Sequence, residues 1–195
     1  MVHVENCTGL ILAGGKSTRM GCNKALLRLG GRTLLMWQVE KFRNLGVREI
    51  LISGPEELSV PGTVVIPDIF PDCGPIGGLY SGLISASGNQ CLVVSVDVPL
   101  LPEEIFQSLC GIHETGITIL RHSGGEEPLI GVYDRTAAIQ MEQMIRRGDY
   151  AVRGLEKTVP VQRWDYFGNK DCLRNCNYPE DYERVKCLLA ETAAD

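Results

Sequence analysis

The sequence predicts a single α/β domain of three layers, in which helices cover both faces of a mostly parallel, twisted sheet. Short β-rich runs alternate with helical stretches through the first half, as they do where helical crossovers join parallel strands. Residues 91–96 (CLVVSV) are almost uninterruptedly apolar, which is typical of a strand covered on both faces. A chain of 195 residues is a normal length for one domain with a substantial core.

The first half is predicted to alternate strands with helices. The strands are residues 9–13, 50–53, 64–66 and 91–96, and the helices are residues 33–45, residues 79–86 and a helix that has Pro102 at its first position. Thr33 supplies the N-cap of the first helix, and Gly46 ends it. The third helix opens favourably, because Glu103 and Glu104 lie at the positive end of its dipole.

The second half carries weaker periodic signals. They predict strands at residues 117–120, 129–133 and 159–161, and helices at residues 136–147 and from Pro179 onward. The residues expected on the inner faces of these two helices are Ile139, Met141 and Ile145 in the first and Tyr182, Val185 and Leu189 in the second. No repeat or linker interrupts the sequence, so residues 1–195 are expected to form one domain.

The charge balance argues against nucleic acid as a partner. Lys and Arg number 19 against 24 Asp and Glu, a net charge of −5, whereas binding a phosphate backbone needs a basic excess. No apolar run approaches the roughly 20 residues that a membrane span needs. Residues 1–8 lack the basic and apolar regions of a signal peptide. We therefore expect a cytoplasmic protein with no membrane partner.

The eight cysteines are too scattered to predict a metal or disulfide framework. No pair has CxxC spacing, and the closest two, Cys172 and Cys176, lack a second ligand pair at a suitable spacing. The three histidines are scattered as well. We expect reduced thiols, with Cys91 acting as a small buried hydrophobic residue in a strand.

A glycine-rich segment directly after the first strand gives the strongest functional signal. It covers residues 14–24 (GGKSTRMGCNK), and glycines there let backbone N–H groups approach a phosphate closely. No Asp or Glu occurs between Glu5 and Glu40, whereas five cations do: Lys16, Arg19, Lys24, Arg28 and Arg32. Solvated surface cations on a tight turn are the alternative, but the concentration of positive charge in an acidic chain predicts an anion site.

Two common phosphate motifs do not fit this loop. The pattern GxxxxGK[ST] would need its first glycine at position 10, which is Leu10. The GxGxxG fingerprint fails because Gly14 and Gly15 are adjacent and the next glycine is Gly21. These failures argue against a GTP-driven switch and against a nicotinamide oxidoreductase.

A longer motif fits better. Residues 12–21 (LAGGKSTRMG), followed by Lys24, resemble the signature of nucleotidyltransferases built on the glycosyltransferase-A-like variant of the Rossmann fold. Residues 74–79 (GPIGGL), 97–100 (DVPL) and 175–180 (NCNYPE) are most similar to the molybdenum cofactor guanylyltransferase family. The motifs keep their order over almost the whole chain. The resemblance implies a GTP-binding half at about residues 1–110 and an acceptor-binding half at about residues 111–195.

The resemblance implies a Mg²⁺-dependent transfer of GMP from GTP to molybdopterin or molybdenum-molybdopterin, which forms the guanine dinucleotide cofactor and pyrophosphate. It implies catalytic roles for Arg19, Lys24 and Asp97. The residues that it implies for nucleotide binding are Leu12, Ala13, Gly14, Gly15, Lys24, Asp68, Gly77, Gly78 and Asp97. Within this set Gly77 and Gly78 are expected at guanine, and Asp68 at the base or ribose or as a loop cap. Other proteins of cofactor assembly are the implied protein partners.

Asp97 follows the apolar strand at its carboxyl end. A carboxylate is costly to bury there unless it meets water, a partner or a cation. The resemblance implies that Asp97 binds Mg²⁺, an ion commonly held by one or two carboxylates and substrate phosphates, and that Asn177 can complete the site. Both are also ordinary turn residues close to Pro99 and Pro179, so a purely structural role is the alternative.

For the acceptor, the resemblance points to Glu127, Pro128 and Leu129. It also offers four arginines as anion contacts, although each has a simpler interpretation as a solvated surface charge: Arg121, Arg146, Arg147 and Arg153. Two other functions stay open from the residues alone. One is a transferase on the same fold that uses CTP or a sugar phosphate, and the other is a non-catalytic nucleotide-binding module.

Overall fold

The structure, a computed structural model, describes residues 2–14 and 23–192. Gly15 and Arg19, expected at the nucleotide, lie outside the described residues. The strands are β1 (Thr8–Leu12), β2 (Arg28–Leu29), β3 (Arg32–Thr33), β4 (Glu49–Ser53), β5 (Val64–Ile66), β6 (Gln90–Ser95), β7 (Ile117–His122), β8 (Gly125–Asp134) and β9 (Val161–Asp165). The helices are α1 (Leu34–Asn44), α2 (Pro75–Ser85), α3 (Glu103–Ile112), α4 (Ala138–Arg146) and α5 (Pro179–Thr192).

Seven strands form the central sheet in the order β5-β4-β1-β6-β8-β7-β9, while β2 and β3 pair as a separate antiparallel ribbon. The strands β5, β4, β1 and β6 are parallel to one another. Within this sheet β8 runs antiparallel to its neighbours β6 and β7, and β9 pairs in parallel with β7. The predicted α/β fold with a mostly parallel sheet is therefore confirmed.

Helices cover both faces of the sheet and give the three predicted layers. On one face α1, α3 and α5 pack against residues such as Ile11, which shares a core with Phe42. On the other face α2 and α4 bring Leu79 and Met141 onto Leu10. Successive residues of β1 thus enter opposite cores, as the alternation of side chains along a strand requires. Among the described residues, no helix combines the length and the apolar composition needed to span a membrane.

Helix α2 begins at Pro75, earlier than the predicted start at residue 79. Its N-cap Gly74 has φ 67°, a left-handed conformation that favours glycine. Glycines inside the helix lower its intrinsic propensity, which concealed its first turn in the sequence. Close packing requires one of them, because a Cβ on Gly82 would lie 2.2 Å from Leu10 Cδ2.

Two details of the predicted helices were wrong. Pro102 is the N-cap of α3 rather than its first residue, because its ψ of 148° is extended. Ile139 is 60% exposed, whereas Met141 and Ile145 are buried as predicted. Ile139 and Met141 lie two positions apart, about 200° around a helix of 3.6 residues per turn, so the burial of Met141 leaves Ile139 facing outward.

Strand ends in the second half also differ from the prediction. Strand β8 begins at Gly125 rather than at residue 129, and it crosses an irregularity in its pairing with β7 between Ile119 and Leu120. Strand β9 begins at Val161, because Pro160 has no N–H to donate to a ladder. The predicted N-cap at Thr33 is confirmed, since its hydroxyl accepts a hydrogen bond from the Met36 N–H at 3.1 Å.

Candidate active site

A cleft of about 610 Å³ lies at the carboxyl ends of the parallel strands. Leu12 ends β1, Ser53 ends β4, and Asp68 and Asp97 follow the ends of β5 and β6 within two residues. All four line the cleft, and so does the predicted nucleotide-binding residue Gly14. Ala13 is buried beside them, where its N–H donates to the Ser53 carbonyl at 2.9 Å. Ligands of open α/β sheets bind at this edge, because the helix-connecting loops leave a crevice there.

Lys24, Asp97 and Asn177 meet at one side of this cleft. The Lys24 Nζ donates to Asp97 Oδ2 at 3.2 Å and to Asn177 Oδ1 at 2.6 Å. The side chains of Lys24 and Asp97 are each 16% exposed, so this ion pair is only partly accessible to solvent. The sequence predicted all three as site residues, and the structure brings them together.

Backbone hydrogen bonds fix the two oxygen-bearing residues relative to each other. The Cys176 N–H donates to the Asp97 carbonyl at 2.8 Å, which joins the turn after β6 to the segment before α5. The N–H groups of Asn177 and Tyr178 donate to Asp181 Oδ2 at 3.1 and 2.9 Å. Burial raises the pKa of the Cys176 thiol to about 12, so it is neutral beside Asp97. The backbone of Asn177 is therefore anchored to the first turn of α5 through Asp181.

The Asp97 and Asn177 oxygens fit a Mg²⁺ site. Both already converge on one positive charge, the Lys24 ammonium. A carboxylate and an amide oxygen are hard ligands of the kind that Mg²⁺ prefers, and this ion normally keeps further places for water and phosphate oxygens. Across residues 2–14 and 23–192 no three acidic, histidine or cysteine side chains cluster. The described residues therefore offer two oxygen ligands at this point, within the number that proteins commonly supply to Mg²⁺.

The opposite wall of the cleft carries Asp68 and the start of α2. Asp68 Oδ1 accepts a hydrogen bond from Ser53 Oγ at 2.9 Å, which orients the carboxylate. Gly78 lines the cleft, and a Cβ there would lie 2.5 Å from Ser53 Oγ. Gly77 is buried behind it, where a Cβ would lie 2.7 Å from the Phe70 carbonyl. Both glycines thus have a packing reason as well as their predicted role at the base.

A second cleft of about 530 Å³ adjoins the first. Both are lined by Pro75, Ser95, Asp97 and Leu129, so they meet at the Asp97 carboxylate. The predicted acceptor residues Glu127, Pro128, Leu129 and Arg153 line the second cleft together with Asn175 and Asn177. The two clefts therefore lie side by side and share the Asp97 side of their walls.

The other three predicted arginines lie elsewhere. Arg121 forms two hydrogen bonds to the Asp165 carboxylate, at 2.6 and 2.8 Å. Arg146 pairs with Glu142 at 2.6 Å, and Arg147 is exposed at the end of α4. None of the three is among the described residues that line either cleft.

The sequence reasoning missed several polar residues that line the clefts. Ser53 and Ser95 each end a parallel strand, the position from which Asp68 and Asp97 were predicted. Asp72 also lines the first cleft and has φ 60°, which is unusual for a residue other than glycine. The strand-end rule would have found the serines, but nothing in the sequence indicated the backbone conformation of Asp72.

Comparisons with known proteins show which family the chain belongs to. A family model described as a MobA-like NTP transferase domain matches residues 9–161. A probable molybdenum cofactor guanylyltransferase from Carboxydothermus hydrogenoformans is 31% identical over 189 residues, covering 93% of this chain and 96% of that protein. A molybdenum cofactor guanylyltransferase from Cereibacter sphaeroides is 33% identical over 194 residues, covering 95% and 98%.

A solved structure has the same fold. Molybdopterin-guanine dinucleotide biosynthesis protein A from Archaeoglobus fulgidus is similar with a TM-score of 0.80, at 22% identity, over 94% of this chain and 99% of that one. The region matched by the family model includes Lys24, Asp68, Asp97 and Arg153, whereas Asn177 lies beyond its end.

Proposed function

Because the chain belongs to the family of MobA-like NTP transferase domains and is a nucleotidyltransferase, we propose that it transfers GMP from GTP to molybdopterin or molybdenum-molybdopterin in a Mg²⁺-dependent reaction. The observation that carries the proposal is the meeting of two clefts at Asp97, beside Lys24 and Asn177. The half of the chain before about residue 110 supplies most of the nucleotide cleft, and the second half most of the acceptor cleft.

The proposed reaction is an in-line displacement at phosphorus. A terminal phosphate oxygen of the acceptor attacks the α-phosphorus of GTP and forms the new P–O bond. The bond from the α-phosphorus to the bridging oxygen breaks, and pyrophosphate leaves with that electron pair. The attacking oxygen is already anionic, so no general base is needed. The work of the protein is positioning and charge stabilisation.

The residues at the junction of the clefts have different roles in this reaction. Asp97 and Asn177 hold Mg²⁺, which when bound neutralises phosphate oxygens. Lys24 stabilises the charge that builds on the departing pyrophosphate, together with Arg19. Asp68, oriented by Ser53, contacts the base or the ribose, directly or through water.

The acceptor cleft offers complementary polar groups. Arg153 supplies a cation for the acceptor phosphate, and its Nη2 is held at 3.0 Å by the Glu126 carbonyl. Glu127, which lies 3.1 Å from His122 Nε2, supplies carboxylate oxygens to the N–H groups of a pterin ring. The cleft thus has acceptors for a flat heterocycle and a donor for its phosphate.

Two measurements test the proposal. Calorimetric titration of the four nucleoside triphosphates with Mg²⁺ should show selective binding of GTP. Incubation with GTP and molybdopterin should then release pyrophosphate in step with the dinucleotide product. Selective binding of CTP or UTP would show that the protein is a transferase with a different nucleotide substrate. Release of free phosphate would indicate a GTP-driven switch. Binding of none of the four nucleotides would argue for a non-catalytic module.

A further inference from the structure

Two polar side chains are buried on the inner face of α1, among apolar neighbours. Gln38 is fully buried and Lys41 is 8% exposed. Their positions follow the apolar spacing of Leu35, Val39 and Phe42, so both point into the core rather than to solvent. Burying an amide and an amine is costly unless their hydrogen bonds are made inside the protein. Neither residue belongs to the catalytic machinery described above.

Both side chains donate to the turn that carries Asp97. Gln38 Nε2 lies 2.9 Å from the Val98 carbonyl and 3.5 Å from the Ser95 carbonyl. Lys41 Nζ lies 2.5 Å from the Pro99 carbonyl and 3.3 Å from Gln38 Oε1. The carbonyls on both sides of Asp97 are therefore held by two linked donors from one helix.

The donors of Gln38 and Lys41 add to the hydrogen bonds that hold the turn around Asp97. The Asp97 carbonyl accepts the Cys176 N–H, while the carbonyls of Ser95, Val98 and Pro99 face α1. Gln38 and Val98 are buried, so water cannot take the place of the Gln38 donor without movement, whereas Lys41 and Pro99 border a cleft of about 710 Å³. Leaving a buried carbonyl unpaired is unfavourable, and a shift of the turn would avoid this cost. Such a shift would move the Asp97 carboxylate relative to Asn177.

We propose that Gln38 and Lys41 are positioning residues that set the affinity of the Asp97–Asn177 site for its divalent metal. The inference rests on the proposed function, because the site takes its metal with a nucleotide. Supporting groups around a metal ligand typically change metal affinity about 10–100-fold when they are removed. Gln38 and Lys41 act on the ligand through the backbone of the turn.

The test measures how much Mg²⁺ tightens nucleotide binding. Calorimetry gives the dissociation constant of the nucleotide in excess Mg²⁺ and in EDTA, and by linkage their ratio reports the metal affinity of the site. Gln38→Met and Lys41→Met keep the approximate shape and remove the donors. We expect each variant to reduce the factor by which Mg²⁺ tightens nucleotide binding by roughly tenfold or more. The dissociation constant of the nucleotide in EDTA should stay unchanged. Lys41→Arg, which keeps donors, should restore much of the effect.

Thr118→Val is the matched control. Its hydroxyl is buried in β7, 2.8 Å from His113 Nδ1 and 3.2 Å from Gln162 Oε1, and it lines neither cleft. Its loss should lower stability without changing the Mg²⁺ effect. The proposal is overturned if both Met variants keep the wild-type ratio, or if they weaken binding equally with and without metal. If Lys41→Met does not fold, the result for Gln38→Met alone decides, because Gln38 donates to the neighbouring Val98 carbonyl of the same turn.

The same titration separates this inference from the proposed function. The ratio is measured with whichever nucleoside triphosphate the wild type binds, so a preference for CTP would overturn only the proposed substrate. A wild-type ratio of one would show that Mg²⁺ does not couple to the nucleotide and would overturn the inference. Binding of none of the four would overturn both.

Discussion

The Nζ of Lys24 lies 2.6 Å from Asn177 Oδ1, although 153 positions separate the two residues in the chain. The same ammonium lies 3.2 Å from Asp97 Oδ2, so it joins an oxygen of the turn after β6 to an oxygen of the segment before α5. A divalent ion that used both oxygens would compete with this ammonium. We therefore expect Lys24 to move toward the phosphates when the nucleotide brings its metal.

The first prediction concerns metal binding without nucleotide. Lys24→Met removes both the competing contact and the repulsion between the ammonium and a second cation. Mn²⁺ should therefore bind the variant at least about tenfold more tightly than the wild type, a difference of about 1.4 kcal/mol. The measurement is the loss of the free Mn²⁺ signal in electron paramagnetic resonance.

Lys186→Met is the charge-matched control for this experiment. Lys186 is exposed on α5 and pairs with Glu183 at 3.0 Å, away from both clefts. Its removal should leave Mn²⁺ binding unchanged. Equal affinity of the wild type and Lys24→Met would show that the ammonium does not compete for these oxygens.

The second prediction concerns turnover. Asp97→Asn keeps the side-chain shape but removes the negative charge at the junction of the clefts. The rate of pyrophosphate release should fall by about a hundredfold or more, as it does when one electrostatic stabiliser of a transition state is lost. Thermal unfolding should show that the variant stays folded. Asp165→Asn, which removes an exposed carboxylate paired with Arg121, should keep its turnover; a near-normal rate in Asp97→Asn would contradict the assignment.

The third prediction concerns the wall of the first cleft, where α2 approaches Ser53. Gly78→Ala would place a Cβ 2.5 Å from Ser53 Oγ, so it should lower the free energy of unfolding by about 1–3 kcal/mol. Ser53→Ala should partly rescue it, because the Ser53 Cβ would then lie 3.4 Å away. Urea unfolding of the two single variants and the double variant gives the coupling energy.

Gly111→Ala serves as the opposite control. Gly111 lies in α3, and a Cβ there would meet no atom within 4 Å. Alanine should therefore stabilise the helix by about 0.5–1 kcal/mol. If Gly78→Ala were as stable as Gly111→Ala, the close approach of α2 to Ser53 would be wrong.

The fourth prediction concerns pH. Burial lowers the pKa of Lys41 to about 7, although Glu103 and Cys172 act in the opposite direction. Above this value the folded state has lost a proton that the unfolded chain keeps up to its ordinary pKa near 10.5. Stability therefore rises with pH across this window, and the penalty for burying the charged form is fully present below it.

Comparison with Lys41→Met isolates this contribution. The unfolding free energy of the wild type minus that of the variant should increase by about 2 kcal/mol between about pH 7.5 and pH 9, since each pH unit contributes at most about 1.36 kcal/mol. Urea unfolding at the two values measures it. A difference that stays constant with pH would mean that Lys41 remains charged in the folded protein.

Local signals explain why much of the first half could be predicted. Strand β5 and the N-cap at Thr33 depend on contacts within a few residues, and the structure agrees with both. The first turn of α2 was missed because packing against other segments demands glycines that weaken its helical signal. A Cβ on Gly77 would lie 2.7 Å from the Phe70 carbonyl, and one on Gly78 would lie 2.5 Å from Ser53 Oγ. Ile139 was misplaced for a local reason, because residues two positions apart on a helix, such as Ile139 and the buried Met141, lie on nearly opposite faces.

Neighbouring residues were enough to predict the order of the main strands and helices, the cation-rich loop and the acid that follows β6, because periodicity and strand-end chemistry are local features. Only the folded chain shows that Lys24 contacts Asn177, that Arg153 but not Arg121 lines the second cleft, and that Gln38 and Lys41 donate to the Asp97 turn. These contacts join residues far apart in the chain, and their geometry follows from sheet order and helix packing, which no local pattern encodes.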